Sequence, residues 1–178
     1  SNLEYKITGR HILRFSGAYI SRPPTIRNSF SNSRENNNFV EGIGDENIYS
    51  SEATYFMNLE PIKLKLTGYY SRFQNMNEIS FFFAQGLSGL EESSDFVSEI
   101  MTGSSRDHYG IEFGVESKIS STLKASAGVA LGEYVYTNNP NLYLTSDDIR
   151  GTADYGTTYI ENYKVPGTPQ RGYSLGLE

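Results

Sequence analysis

The chain has 178 residues, a formal net charge of −6 and a mean hydropathy of −0.47, and it contains neither cysteine nor tryptophan. The acidic balance argues against a nucleic-acid partner, because no basic stripe exists to neutralise phosphates. The lack of cysteine excludes disulfides, thiol catalysis and cysteine-ligated metals. No stretch approaches the roughly 20 consecutive apolar residues that a transmembrane helix needs.

The chain opens with two segments in which apolar residues recur at every second position. They span residues 2–9 and 11–21 and are separated by the turn Gly9-Arg10. A period of two is typical of a β-strand whose two faces differ in chemistry. The polar stretch 22–46 that follows is expected to be a long loop.

Short and long connections then alternate along the rest of the chain. Five further segments have the same period of two: 48–59, 62–74, 107–118, 123–137 and 171–178. Tight turns lie at Glu60-Pro61 and at 120–122, whereas 75–106 and 138–170 are long and polar. Bacterial outer-membrane barrels have short turns at one rim and long loops at the other.

The sequence therefore predicts an all-β fold that forms a section of a transmembrane antiparallel β-barrel. Tyrosine and phenylalanine cluster near strand ends, as in Tyr69, Tyr70 and Tyr134, which is where an interfacial aromatic girdle would lie. The alternative is a soluble β-sandwich, because tyrosine is common at the ends of any strand.

Seven strand-like segments are too few for a complete barrel. A membrane-spanning sheet has to close, and closed bacterial barrels use an even number of at least eight strands. Both chain ends fall inside strands, and the final residues lack a terminal aromatic. We therefore expect an internal section of a larger barrel in the bacterial cell outer membrane, surrounded by lipid.

Several motifs resemble the barrel of TonB-dependent outer-membrane receptors, especially those of Bacteroidetes. The strand and loop at 15–30 read FSGAYISRPPTIRNSF, in which Arg22-Pro23-Pro24 follows a strand as it does in that family. The order of the other motifs is similar to the family as well: ENIYSSE at 46–52, LTGYYSRF at 66–73, HYGIEFG at 108–114 and PQRGYSLGL at 169–177.

The resemblance implies a complete barrel of 22 strands, an N-terminal plug, and a segment that engages TonB for energy-coupled uptake. Neither the plug nor the TonB-contacting segment lies in this chain. The ligand would be a large nutrient such as a metal chelate, a peptide or an oligosaccharide, and a surface lipoprotein is a further possible partner. The alternative function is a barrel that scaffolds other envelope proteins.

Charged residues alternate with the apolar ones along the predicted strands. Their first role is to hydrate the barrel interior and to form cross-strand pairs of opposite sign. These residues are Arg14, Glu52, Lys63, Lys65, Glu112, Glu116 and Lys124.

The sequence contains no catalytic constellation and predicts no enzyme activity, metal site or cofactor. His11 and His108 lie far apart, without nearby ligand sets, and are expected to be solvated rim residues. Loops on a rigid scaffold commonly carry binding, and arginine and aromatic side chains suit anionic groups and sugar or siderophore rings. The loop candidates for ligand binding are Arg22, Arg27, Arg34 and Tyr155.

Overall fold

The computed structural model describes residues 1–30, 37, 39–85, 94–146 and 152–178. In these ranges the chain forms β-strands and one 3₁₀ turn, with no α-helix and no helix long and apolar enough to cross a membrane. The 3₁₀ turn is Ile26–Asn28. The strands are β1 (Asn2–Thr8), β2 (His11–Arg22), β3 (Glu46–Leu59), β4 (Ile62–Gln85), β5 (Ser94–Lys118), β6 (Lys124–Tyr136), β7 (Asn141–Ser146), β8 (Ala153–Thr157) and β9 (Arg171–Leu177).

All nine strands belong to one antiparallel sheet, so the all-β prediction is confirmed. Along the main path the order is β1-β2-β3-β4-β5-β6-β9, while β7 pairs with the far part of β5 and β8 pairs with β7. Among the described residues β1 pairs only with β2, and β9 pairs only with β6. The sheet is therefore open, with two free edges.

The two ends of the sheet differ in how their strands are connected. Tight turns join β1 to β2, β3 to β4 and β5 to β6, and all three lie at what we call the turn end. The long connections lie at the opposite end, which we call the loop end. The register is continuous in β3–β4, from the Leu59–Ile62 pair to the Asn47–Gln74 pair, and in β5–β6, whereas β1–β2 has an irregularity between Lys6 and Thr8.

The segment 75–106, expected as a loop, is strand over most of its length. Strands β4 and β5 continue as a long hairpin, in which Phe83 pairs with Phe96. The pairing register shifts on both sides of Met76, Asn75 has a φ of 56° and Gly103 has a φ of 70°. Such bulges insert extra residues and break the period of two. The alternation pattern therefore did not predict that these strands continue.

The segment 138–170, also expected as a loop, contains β7 and β8. Strand β7 continues along β5 where β6 stops, so that Asn141 pairs with Thr102. These two strands are short, and β8 shifts register against β7. Short strands with an irregular register leave little periodicity to read.

The buried apolar core lies at the loop end. Among the described residues, Val97 and Ile100 have no exposed surface at all, and the other buried apolar side chains also lie beyond the Tyr70–Tyr109 pair. These others are Val40, Met76, Tyr136, Leu144 and Val165. The wall of the sheet between this core and the turn end has large apolar side chains that no described residue covers.

Candidate functional site

One face of the sheet wall is apolar and uncovered. The register places Leu13 beside Tyr55, then Leu66 and Phe113, on the same face of four successive strands. Exposed apolar residues of this face are Leu3, Tyr5, Ile7, Phe15, Tyr19, Tyr49, Ile62, Leu66, Tyr70, Tyr109, Ile111, Phe113, Leu131, Tyr173, Leu175 and Leu177. The face spans seven strands, and six inter-strand spacings by nine residues along each strand give roughly 850 Å² at ordinary strand spacing and rise. A typical soluble monomer exposes its largest apolar patch over only about 300–600 Å².

A row of tyrosines ends this apolar face toward the loop end. Tyr19 faces Tyr49 with ring centroids 4.9 Å apart, and Tyr70 pairs with Tyr109 two strands further along. The Tyr19 hydroxyl donates to Oδ1 of Asn47 at 2.8 Å. Each ring thus lies beside the apolar residues while its hydroxyl can reach polar groups, an arrangement that suits a boundary between two environments.

Charged side chains appear on this face directly beyond the tyrosines. Arg72 donates to both carboxylate oxygens of Asp107, from Nε to Oδ1 at 2.8 Å and from Nη2 to Oδ2 at 2.7 Å, and the Tyr70 hydroxyl donates to Oδ2 at 3.0 Å. Asp107 is a buried, fully satisfied carboxylate under a half-exposed guanidinium.

A second charged group lies on β6, level with Tyr109 rather than with Asp107. Glu133 accepts a hydrogen bond from the Tyr109 hydroxyl at 3.1 Å and forms an ion pair with Lys164. Arg171 pairs with Leu131 in register, one position toward the turn end from Glu133 on the same face, and it is exposed. We call the five residues Arg72, Asp107, Glu133, Lys164 and Arg171 the charged belt.

The sequence interpretation missed the charged belt, although part of its signal was readable. Arg72 and Asp107 continue the period of two beyond Tyr70 and Tyr109, so both positions could have been placed on the apolar face. Lys164 lies in an irregular segment and pairs with Val135 through an isolated bridge. No local sequence pattern predicts such a pairing.

The opposite face of the wall is polar, and ion pairs join its neighbouring strands. Arg14 donates to Glu4 at 3.0 Å across β1 and β2, and Lys124 approaches Glu116 at 3.0 Å across β5 and β6. Lys63 approaches the same Glu116 at 3.8 Å. These are cross-strand pairs of opposite sign, as expected from the sequence.

The remaining charged residues that were predicted on the polar face are Glu52, Lys65 and Glu112. Glu52 accepts a hydrogen bond from Thr54 at 2.8 Å, and Thr54 is within 3.1 Å of the hydroxyl of Thr67, both threonines being buried. Lys65 is exposed, as is Glu112. A hollow of about 710 Å³ lies mostly over this face, against Arg14, Lys63, Lys65, Ser126 and Gly128 among others.

An aromatic cluster lies on the polar face near the loop end. The ring of His108 lies 4.8 Å from Phe73 and 4.6 Å from Tyr134, measured between centroids. His108 Nε2 has no hydrogen-bond partner in the described part of the chain. His108 thus packs between aromatic side chains on the polar face of the sheet and is not the solvated rim residue that the sequence had predicted.

The first histidine lies at the turn end. His11 Nδ1 is 2.6 Å from the hydroxyl of Tyr55, and the two rings are stacked. Across the described ranges, no group of three or more histidine, acidic or cysteine side chains is arranged to hold a metal ion. The two histidines are therefore far apart in the fold and make separate contacts.

The four predicted ligand residues do not form one site. Arg22 donates from Nε to the buried carboxylate of Glu46 at 2.9 Å, so it has a structural partner at the base of its loop. Arg27 lies in the 3₁₀ turn and is exposed, and Tyr155 is half-exposed on β8. Four strands separate β2 from β8, or roughly 24 Å at ordinary strand spacing. Arg34 lies outside the described residues.

No family model, no curated protein and no solved structure matches this chain.

Proposed function

We propose that this chain is part of the wall of an outer-membrane TonB-dependent receptor, which takes up a large nutrient in an energy-coupled way. The observation that carries the proposal is the broad apolar face on one side of the sheet, with a polar face on the other. A lipid-facing and a lumen-facing surface alternate in this manner along barrel strands. In a soluble sandwich, a second sheet would have to cover the apolar face.

The height of the apolar face supports a membrane-spanning role. The turn-end pair Ile62–Ser117 and the tyrosine pair Tyr70–Tyr109 enclose nine residues on each strand, 62–70 and 109–117. Nine residues extend roughly 30 Å along a strand, which a tilt of about 40° reduces to roughly 23 Å. The outward apolar band of outer-membrane barrels is about 25 Å tall and bounded by aromatic residues.

The open sheet supports a larger barrel. The free edges of β1 and β9 have backbone groups without partners in the described ranges. Each unsatisfied backbone group in hydrocarbon costs several kcal/mol, so a membrane-spanning sheet closes on itself. We infer that further strands of the receptor pair with these edges, while a plug fills the lumen beside the polar face.

Single cysteines test the topology, and the chain itself contributes none. In the complete polypeptide expressed in cells, Phe30→Cys, Leu90→Cys and Arg150→Cys are expected to react with a membrane-impermeant maleimide added outside. Glu60→Cys and Ser121→Cys, at the tight turns, are expected to react only after the outer membrane is broken. Labelling of the turn pair alone in intact cells contradicts the proposed orientation.

Binding to TonB separates uptake from the scaffold alternative. The complete polypeptide, purified in detergent, is mixed with the isolated periplasmic domain of TonB and analysed by co-purification. The receptor proposal predicts a complex. Failure to bind, together with recovery of the barrel in a stable complex with other envelope proteins, supports the scaffold function instead.

A further inference from the structure

The charged belt begins where the apolar face ends. On β2 to β6, no Asp, Glu, Lys or Arg lies on the apolar face between the tyrosine row and the turn end, and on β9 Arg171 lies one same-face position toward the turn end from the level of Glu133. Directly beyond Tyr70 and Tyr109 come Arg72 and Asp107, and Glu133 lies level with Tyr109. If the apolar face contacts lipid tails, the belt lies at the depth of the lipid headgroups.

The belt presents its cations outward. The Asp107 side chain is 11% exposed, whereas Arg72, which covers it, is 42% exposed. Lys164 is 56% exposed beside Glu133, and Arg171 has no acidic partner among the described residues. Three cations thus accompany two carboxylates, and both carboxylates already accept hydrogen bonds from a tyrosine and from a cation.

This surplus of positive charge is opposite in sign to the formal net charge of the whole chain, which is −6. Arginine forms strong, directional hydrogen bonds with phosphate oxygens, and lysine binds phosphate as a point charge. Cationic side chains near a membrane surface also attract anionic headgroups, by about 1 kcal/mol each.

We propose that the charged belt binds the phosphate headgroups of anionic membrane lipids, with Arg171 and Lys164 as the main contacts and Arg72 as a third. This inference rests on the proposed membrane-spanning function. It assigns the belt to lipid rather than to the transported nutrient, because the belt shares a face with the apolar side chains and not with the polar hollow. Glu133, flanked by Lys164 and Tyr109, orders Lys164 at the edge of the belt.

Native mass spectrometry of the complete polypeptide in detergent tests the proposal. The protein is titrated with palmitoyl-oleoyl phosphatidylglycerol and with the phosphatidylcholine of the same chains. The expected result is tighter binding of phosphatidylglycerol. Arg171→Gln is expected to weaken that binding about fivefold, Arg171→Lys to retain most of it, and the double variant with Lys164→Gln to weaken it about 25-fold.

Arg27→Gln is the matched control, since it removes an exposed arginine from a loop rather than from the belt. Inorganic phosphate added in excess should not displace the lipid, and full displacement would show a free-phosphate site instead. Equal affinity for the two lipids, or an equal loss in Arg27→Gln, overturns the inference. If either of these lipid-binding results is found while the wild type still inserts into phosphatidylcholine vesicles as a heat-modifiable barrel, only the inference about the belt is overturned. Failure to insert overturns the proposed function.

Discussion

Tyr69 lies across two facing glycines on the polar face, and alanine substitutions there test how tightly the sheet is packed. Gly110 is the register partner of both Tyr69 on β4 and Gly132 on β6. The Tyr69 hydroxyl is 2.7 Å from that of Tyr134. The same hydroxyl lies 2.7 Å from the position that a Cβ would take on Gly110 and on Gly132, so a side chain at either position needs a shift.

The structure ranks three substitutions. In Gly110→Ala the new methyl would overlap the carbonyl oxygen of Leu131 and lie 2.7 Å from the Tyr69 hydroxyl, so backbone has to move. In Gly132→Ala the close atoms, at 2.7 to 2.9 Å, are the ends of two tyrosine side chains, which can shift. In Gly114→Ala, on the same strand and face as Gly110, no atom lies within 4 Å.

Overpacking in a well-packed site costs about 1–3 kcal/mol. We place Gly110→Ala at the upper end, about 3 kcal/mol, because its obstacle is main chain. Gly132→Ala should cost about 1 kcal/mol, because its obstacles are side chains. Gly114→Ala should be neutral or slightly stabilising, since alanine restricts the unfolded chain more than glycine does.

The assay is urea unfolding of the complete polypeptide in lipid vesicles, followed by the loss of the heat-modifiable gel band. Tyr69→Phe removes the hydroxyl near both glycines, so it should partly rescue Gly132→Ala while leaving the overlap in Gly110→Ala. A Gly114→Ala variant as destabilised as Gly110→Ala would refute the reasoning, because the loss would then follow from any added methyl in β5.

A further prediction concerns the loop end. Glu46→Ala removes a buried carboxylate that accepts from Arg22 and lies 3.5 Å from the backbone nitrogen of Asn77. It should therefore speed protease cleavage of the loop between β2 and β3 several-fold, whereas Glu41→Ala, at an exposed position in that loop, should not.

The period of two was enough to predict the strands of the sheet wall and their two faces. Alternation is a direct consequence of strand geometry, so residues such as Leu64 and Leu66 could be assigned to one face without knowing their neighbours. The same rule placed Lys63 and Glu116 on the other face, where the structure pairs them.

The candidate site was much less readable. Arg22 was a ligand candidate by residue type, but its partner Glu46 lies 24 positions away, and only the return of β3 brings the carboxylate to it. Likewise, Lys164 reaches Glu133 because an irregular segment folds back along β6. Residue type alone cannot tell a guanidinium that is free to bind from one that already has a partner.

By itself, the sequence determined that this protein is built of antiparallel strands with one apolar and one polar face. Local alternation encodes that property strand by strand. Only the tertiary structure decided how far β4 and β5 extend, where the buried core lies, and that tyrosines and charges from separate strands line up along one edge of the apolar face. These features depend on bulges and on cross-strand register, which arise from pairing between segments that are distant in the chain.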